Sequence, residues 1–438
     1  MNTQNIKTAV AQTAAKLGVE GYEISISTRE SAGAEALQHE ISTVSYALTG
    51  TMTVRCVMGG KSGYASSELV TPEAAAQLVE QACANAEAVD DADTSELFGG
   101  SEYYEPVDDK ALELPDADAL KAQALQLQEL IYAASDKIVD GSQSWTSGLR
   151  LSTALINSAG LDLSYETSLV YRGVAAAVKD GEEAADDYRV VALSKESPET
   201  TVSKAVRSAL SKLGADTVDS GKYDVILDKG TLRSLLETYA TVFSARSAYM
   251  KTTLLAGKEG ESVAAPGVSI IDDPFHPDKF GHCPYDGEGV AVKRKSVIEK
   301  GVLKTLLYNR MYASLLGKAT TGNAAGAKAI EPKGLYVAPG EYTEAALLEK
   351  LGDGIYITEL NGLHAGANTQ SGDFSLQAEG YLVEGGKKTR PVKNFTIADN
   401  FFSILKKIDA IADTVEFGTG SDYGAPEVLV TDISVSGR

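Results

Sequence analysis

The chain has 438 residues, a hydrophobic content of 43% and a mean hydropathy of -0.11, which are typical of a globular protein with more than one domain. Its 40 Lys and Arg against 61 Asp and Glu give a formal net charge of -21, which repels phosphate backbones and argues against direct nucleic-acid binding. Three widely spaced cysteines imply no disulfide framework, no signal peptide is recognisable and no apolar run could cross a membrane, so we expect a cytoplasmic protein.

The first part of the sequence predicts a small N-terminal α+β domain over residues 1–92. Its helices are indicated by apolar residues at helical spacing and by capping residues, and its strands by alternation. In chain order, these signals predict a helix over 3–17, strands over 22–27 and 37–48, a hairpin turn over 58–63 and a helix that begins at Thr71 and Pro72.

A central α+β domain is predicted over residues 114–216, after an acidic stretch over 88–113 that is typical of a linker. Asp116 and Ser197 are suitable N-caps for its first and last helices. The elements expected in this domain are a helix over 117–137, strands over 148–156, 161–165 and 169–178, and a helix over 198–213.

The remainder, residues 221–438, is rich in strands and glycine and predicts a large β-rich C-terminal domain. The expected elements are strands over 223–227, 292–298, 302–308, 354–360, 374–382, 396–398 and 428–435, and a helix over 400–411. The order of elements along the chain favours a multi-domain α+β protein, with two small α+β N-terminal units, over a doubly wound sheet.

One loop collects side chains that bind transition metals. His276, His282, Cys283 and Asp286 lie close together, and imidazole and thiolate are good ligands for such ions. Their spacing matches no standard closed zinc pattern, however, and prolines interrupt the segment. The sequence therefore leaves two interpretations open, a reactive site and a packed loop.

Several short motifs in the second half of the chain occur together and in a fixed order. They are Asp286-Gly287-Glu288-Gly289-Val290, Thr321-Gly322-Asn323-Ala324, Gly362-Leu363-His364-Ala365-Gly366, Ser371-Gly372-Asp373-Phe374-Ser375 and Ala378-Glu379-Gly380-Tyr381. This combination resembles the TldD/PmbA family, named for modulation of DNA gyrase, and specifically its PmbA (TldE) branch. The resemblance covers essentially the whole chain and is strongest after residue 221.

The resemblance implies a two-subunit cytoplasmic protease in which a TldD-type chain holds the metal. In that chain a His-Glu-x-x-x-His helix follows Leu-Leu, and a Cys near the C-terminus is a further ligand. When this motif is aligned with the present sequence, Glu237 occupies the position of the first His, Thr238 that of the general-base Glu and Val242 that of the second His. No Cys follows Cys283. A hydroxyl and an isopropyl group cannot bind and activate a metal-bound water as imidazole and carboxylate do.

We therefore expect a metallopeptidase-family chain that has no catalytic residue, holds no metal or other cofactor, and is inactive alone. Its expected partners are a TldD-type metalloprotease subunit and an unfolded peptide substrate, in a homodimer or heterodimer. The glycine-containing loops downstream are predicted to line a peptide channel through His364, Gly366, Ser371, Asp373 and Phe374.

Two other functions stay open on the sequence. One is an independent hydrolase that uses a different constellation, such as the loop of His276, His282 and Cys283. The other is a regulator that binds another protein, linked to DNA gyrase or to toxin–antitoxin control.

Overall fold

The computed structural model describes residues 3–89, 96–107, 112–326 and 328–438. Its first half contains α1 (Gln4–Leu17), β1 (Gly21–Leu37), β2 (Glu40–Met58), β3 (Lys61–Ser67), α2 (Pro72–Ala88), α3 (Ala117–Ala134), β4 (Gln143–Asn157), β5 (Asp162–Asp180), β6 (Glu183–Ala192) and α4 (Pro198–Ser211). The mixture of helices with long strands, together with the strand-rich second half described below, confirms the predicted multi-domain α+β class.

The first half of the chain is organised around one antiparallel six-stranded sheet, in the order β3-β2-β1-β4-β5-β6. Strand β1 joins the N-terminal and central units, because it pairs with β2 on one side and with β4 on the other. Helices α1 and α2 cover Ile24 and Ile26 of β1, whereas α3 covers Ala34 and Ala36 of the same strand. The helices therefore pack on one face of a shared sheet.

Three of the predicted helix N-caps are confirmed by their hydrogen bonds. The side chains of Thr71, Asp116 and Ser197 each accept a hydrogen bond from the backbone N–H three residues on, at 3.2, 2.8 and 3.3 Å. Each such cap satisfies a backbone donor that the helix itself leaves without a partner and stabilises the helix by about 1 kcal/mol.

Several predicted elements differ in the structure. The strands expected over 161–165 and 169–178 are one strand, β5. The strand expected over 302–308 is limited to Val302–Leu303, and the one expected over 292–298 begins at Lys295. The expected strand over 37–48 contains the hairpin turn between β1 and β2, at Gln38 and His39, both of which have positive φ. Such turns usually contain Asn-Gly or Asp-Gly, and because this one does not, the sequence gives no indication of it. The predicted helix over 400–411 ends at Lys407, and Ile408–Ile411 forms a strand because its residues pair with the last strand of the chain.

The second half of the chain contains the remaining elements. They are β7 (Gly221–Leu227), α5 (Lys229–Tyr239), a 3-10 helix (Ala240–Phe243), α6 (Ala245–Tyr249), β8 (Ile270–Asp272), β9 (Lys295–Glu299), β10 (Val302–Leu303), α7 (Arg310–Leu315), β11 (Leu335–Val337), α8 (Glu344–Leu351), β12 (Gly354–Asn361), α9 (Leu363–Gly366), β13 (Asp373–Glu384), β14 (Lys387–Asn400), α10 (Phe401–Lys407), β15 (Ile408–Ile411), β16 (Glu416–Phe417), β17 (Tyr423–Ala425) and β18 (Val428–Ser436).

These strands form two further six-stranded sheets, in the orders β10-β9-β8-β11-β17-β16 and β14-β13-β12-β7-β18-β15. One hydrophobic core contains buried side chains of both sheets and of α5, including Leu235 and Tyr239. The Tyr239 ring stacks on Phe401 with 4.5 Å between centroids. The helix that follows β7 is thus fixed in position by core packing.

Acidic side chains lie at the contact between the first and second halves. Glu288 accepts a hydrogen bond from the backbone N–H of Arg310 at 2.8 Å. Burial raises the pKa of Glu288 to about 7, and the nearby carboxylates of Asp286 and Glu23 add to this rise. The folded protein therefore retains a proton on Glu288 at a pH where the unfolded chain has lost it.

This raised pKa predicts a pH-dependent stability. Because the folded pKa lies above the unfolded value of 4.5, Glu288 favours folding below that value, and the advantage is lost as the pH rises to about 7. The variant Glu288→Gln keeps an acceptor without the charge, so its Tm should fall less between pH 5 and pH 8 than that of the wild type. Differential scanning calorimetry measures this, with Glu299→Gln at the exposed end of a strand as the control; equal falls in all three proteins would contradict the prediction.

Candidate functional site

A cavity of about 1030 Å³ lies between the central unit and the C-terminal half. Its walls are β6 and α4 on one side, and on the other α5 from Lys229 to Glu237, the end of β12 and residues 416–423. Glu237 on α5 belongs to the lining, so the helix singled out in the sequence borders the cavity.

Two outermost strands border this cavity. Strand β6 is the last strand of the first sheet, and β16 is the last strand of the second. The hydroxyl of Thr419, in the loop after β16, donates to the backbone carbonyl of Val190 on β6 at 3.0 Å. The carbonyl of Val190 therefore lies on the cavity side of β6, where it accepts the Thr419 hydroxyl, and no further strand pairs with β6 or β16 within the described ranges.

The cavity walls carry charges of both signs. The acidic residues are Asp187, Asp228, Glu237, Glu359, Glu416, Asp422 and Glu427, and the basic residues are Arg189, Lys204, Lys212, Lys229 and Arg233. Lys212 reaches across the junction to Asp187 at 3.4 Å and to Glu359 at 3.2 Å. Although burial alone would lower the pKa of Lys212, these two carboxylates outweigh it and raise the pKa.

Two carboxyl groups lie where α5 begins. Asp228 accepts a hydrogen bond from the backbone N–H of Thr231 at 2.7 Å and is the N-cap of the helix. Burial raises the pKa of Asp228 to about 6, and the neighbouring Glu427 adds to the rise. Burial also raises the pKa of Glu427, which accepts the hydroxyl of Tyr356 at 3.1 Å. Both carboxyls therefore take up protons more readily than exposed ones.

The residues at the degenerate metal-helix positions do not fit a zinc site. Glu237 is exposed to the cavity, whereas Val242 is 1% exposed and belongs to the hydrophobic core. The hydroxyl of Thr238 donates to the carbonyl of Ser234 at 2.8 Å, one turn back on the helix. Within the described ranges, no group of three or more His, Cys, Asp and Glu could hold a metal ion. A tetrahedral site needs more ligands than this helix offers.

The side chains of the loop with His276, His282 and Cys283 pack against, or hydrogen-bond to, neighbouring residues. The ring of His276 lies 4.9 Å from Tyr336 and 4.7 Å from Phe417 between centroids, and burial lowers its pKa. A ring nitrogen of His282 hydrogen-bonds the carbonyl of His276 at 3.2 Å. Burial raises the pKa of the Cys283 thiol, which disfavours the reactive thiolate. These contacts favour the packed-loop interpretation.

The predicted peptide-channel residues lie beside the C-terminal end of α5, outside the lining of the large cavity. The hydroxyl of Tyr239 donates to the carbonyl of Asp373 at 3.0 Å, which fastens this loop to the helix. His364 is exposed, and Phe374 is buried in the core.

The other two predicted channel positions support the loop structure. A side chain at Gly366 would lie 2.4 Å from the carbonyl of Ser375, and the carbonyl of Ser371 accepts a hydrogen bond from the Asn400 amide at 2.8 Å. The assignment of these loops to a peptide channel stays a prediction.

Some cavity residues gave no functional signal in the sequence. Asp228 follows a strand and precedes a helix, so its capping role could have been inferred from its position. Glu427, Arg189 and Lys212 come from distant parts of the chain, and only the packing of the two halves brings them to one cavity.

Family models match the chain in three successive segments. They are domain 1 of the PmbA/TldA metallopeptidases over residues 22–86, the central domain over 109–213 and the C-terminal domain over 220–437. Together these segments span most of the chain.

Individual relatives agree with this assignment. A metalloprotease PmbA homolog from Haemophilus influenzae is 26% identical over 448 residues, which cover 99% of this chain and 97% of the relative. A metalloprotease TldD homolog from the same organism is 29% identical over 270 residues, but these cover 57% of this chain and 54% of the relative. The crystal structure of a Thermotoga maritima protein described as a modulator of a DNA gyrase matches with a TM-score of 0.90 and 28% identity, over 99% of this chain and 100% of that chain.

The cap at the head of α5 predicts different effects for two substitutions. Asp228→Ala removes the acceptor for the Thr231 N–H and should lower the free energy of unfolding by about 1 kcal/mol. Asp228→Asn keeps an acceptor oxygen and removes a buried carboxylate, so it should match or exceed the wild type at pH 8. Urea unfolding followed by circular dichroism distinguishes the two, and equal losses in both variants would contradict the capping role.

Proposed function

The chain belongs to the PmbA/TldD metallopeptidase family, and we propose that it is a PmbA/TldE-like subunit that completes a TldD-type metalloprotease without cleaving peptides itself. The observation that carries this proposal is the state of α5. Glu237 of the helix faces a large cavity, and the hydroxyl of Thr238 beside it is bound within the same helix. Val242 lies in the 3-10 helix that follows and is buried in the core.

An unstructured peptide is the substrate that best suits the cavity. Strands β6 and β16 have no further strand partner among the described residues, so an extended peptide can add to either as another strand, and at Val190 it would replace the Thr419 hydroxyl. Walls with charges of both signs favour no single class of side chain, whereas backbone pairing is independent of sequence. A folded protein has no extended segment to offer, so we propose that only unfolded or processed segments enter.

The metal and the catalytic base come from the partner in this proposal. A TldD-type subunit is the natural source, because this chain matches a TldD homolog over half its length and so shares part of its fold with that class.

No helix among the described residues is long and apolar enough to cross a membrane. Cys56, Cys83 and Cys283 are all free thiols, which supports a reducing compartment, the cytoplasm.

The test is proteolysis by the separate and the mixed subunits. This chain and the TldD-type chain of the same organism are purified apart, and the release of amino groups from denatured casein is followed. We expect no cleavage by this chain alone and at least about tenfold faster cleavage by the mixture than by the TldD-type chain alone. Glu237→Ala should leave the rate of the mixture within about twofold, since Glu237 holds no metal.

The strand edge of β6 provides a second variant with a matched control. Val190→Pro removes a backbone N–H from the edge whose carbonyl faces the cavity side, and should lower kcat/KM of the mixture by about tenfold. Val190→Ala keeps that N–H and should have little effect. Proteolysis by this chain alone, or loss of all activity in Glu237→Ala, would overturn the proposed function.

A further inference from the structure

Two buried hydrogen-bond donors of the central unit have no acceptor in the protein. Arg172 on β5 is 8% exposed, and its Nη1 is shielded from solvent and has no hydrogen-bond partner among the described residues. The hydroxyl of Thr146 on β4 is in the same state, and Thr146 is 0% exposed. Buried polar groups are nearly always hydrogen-bonded, so two orphaned donors on neighbouring strands indicate that something outside the chain accepts from them.

The two side chains start from opposed positions on one face of the sheet. Thr146 and Arg172 are paired in the antiparallel register of β4 and β5, which places their Cβ atoms about 5 Å apart on the same side. Val174, two residues along β5, lies on this face in the core that α3 and α4 complete. The guanidinium of Arg172 therefore has poorly hydrated surroundings.

The carboxylates that attract Arg172 are engaged elsewhere. Glu196 accepts hydrogen bonds from Arg189 and Lys204. Glu199 bonds to its own backbone N–H. Burial lowers the pKa of Arg172 in spite of the attraction of both carboxylates. Because a guanidinium keeps its proton in proteins, burial leaves a positive charge with no counterion in contact among the described residues.

We propose that a small monovalent anion, chloride, binds beside Nη1 of Arg172 and accepts a second hydrogen bond from the hydroxyl of Thr146. Chloride supplies the negative charge that the buried guanidinium requires, whereas a water molecule would satisfy the donors alone. A phosphate dianion fits less well, because Glu196 and Glu199 already make the surroundings acidic. This site is independent of the proposed proteolytic function.

The stability of the purified chain in two salts tests the site. Sodium chloride and sodium gluconate screen charges equally at equal ionic strength, so a specific chloride site appears as a difference between them. In calorimetry at about 200 mM salt, we expect the Tm to be at least about 3 °C higher in chloride, because the ion binds only the folded chain.

Three variants assign this difference to the two donors. Arg172→Met removes the guanidinium and should abolish the difference in Tm between the salts. Thr146→Val removes only the hydroxyl and should reduce the difference to about half. Arg207→Met, at an exposed position of α4, is the matched control and should keep the full difference.

Crystallography locates the ion in the unaltered protein, so this measurement does not depend on the folding of a variant. Crystals of the wild type grown in sodium bromide should show an anomalous peak beside Nη1 of Arg172, since bromide replaces chloride. No peak at that position would overturn the proposal. So would equal wild-type Tm values in the two salts, or a difference that Arg172→Met keeps and Arg207→Met loses.

Discussion

The packing of the C-terminal end of α5 into the hydrophobic core determines which side chains of this helix reach the large cavity. Tyr239 stacks on Phe401 and hydrogen-bonds the loop at Asp373, and Val242 is buried in the same core. These contacts fix the rotation of the helix and leave Glu237 on the cavity side. The helix therefore presents Glu237 to the cavity and buries Leu235 and Tyr239 in the core, and the proposed function rests on this division.

The cavity depends on the contact between the two halves of the chain. Its floor and walls come from the edge of the first sheet and from elements of the C-terminal half, and Lys212 links Asp187 on one side with Glu359 on the other. Because Lys212 is largely shielded from solvent, its ion pairs are less screened than pairs on the open surface. A change in the contact between the halves would therefore alter the shape of the cavity more than the packing of either hydrophobic core.

Local features of the fold were predictable from the sequence, and long-range features were not. The caps at Thr71, Asp116 and Ser197 follow from short-range hydrogen bonding, and their prediction is confirmed. The turn at Gln38 and His39 was missed because it lacks the usual glycine, and the strand at 408–411 because its pairing partner lies near the C-terminus. The family resemblance, carried by motifs after residue 221, is likewise confirmed.

The candidate site was predictable to the same limited extent. The replacement of metal ligands stays a prediction from the resemblance, which rests on the side chains of Thr238 and Val242 lacking the chemistry of imidazole and carboxylate. The pair of Asp228 and Glu427 was not predictable, since the two residues are far apart in the chain and their raised pKa values arise from burial. Burial of this kind depends on the packed structure, which no local pattern encodes.

The most direct measurement of the central claim is the metal content of the purified chain, without any partner, by mass spectrometry after dialysis against zinc. Packing of α5 into the core predicts far less than one ion per chain, on the order of 0.1 or lower, and the same value for Glu237→Ala. One tightly held ion per chain that is lost in Glu237→Ala would show a metal site on this helix and would contradict the proposed function.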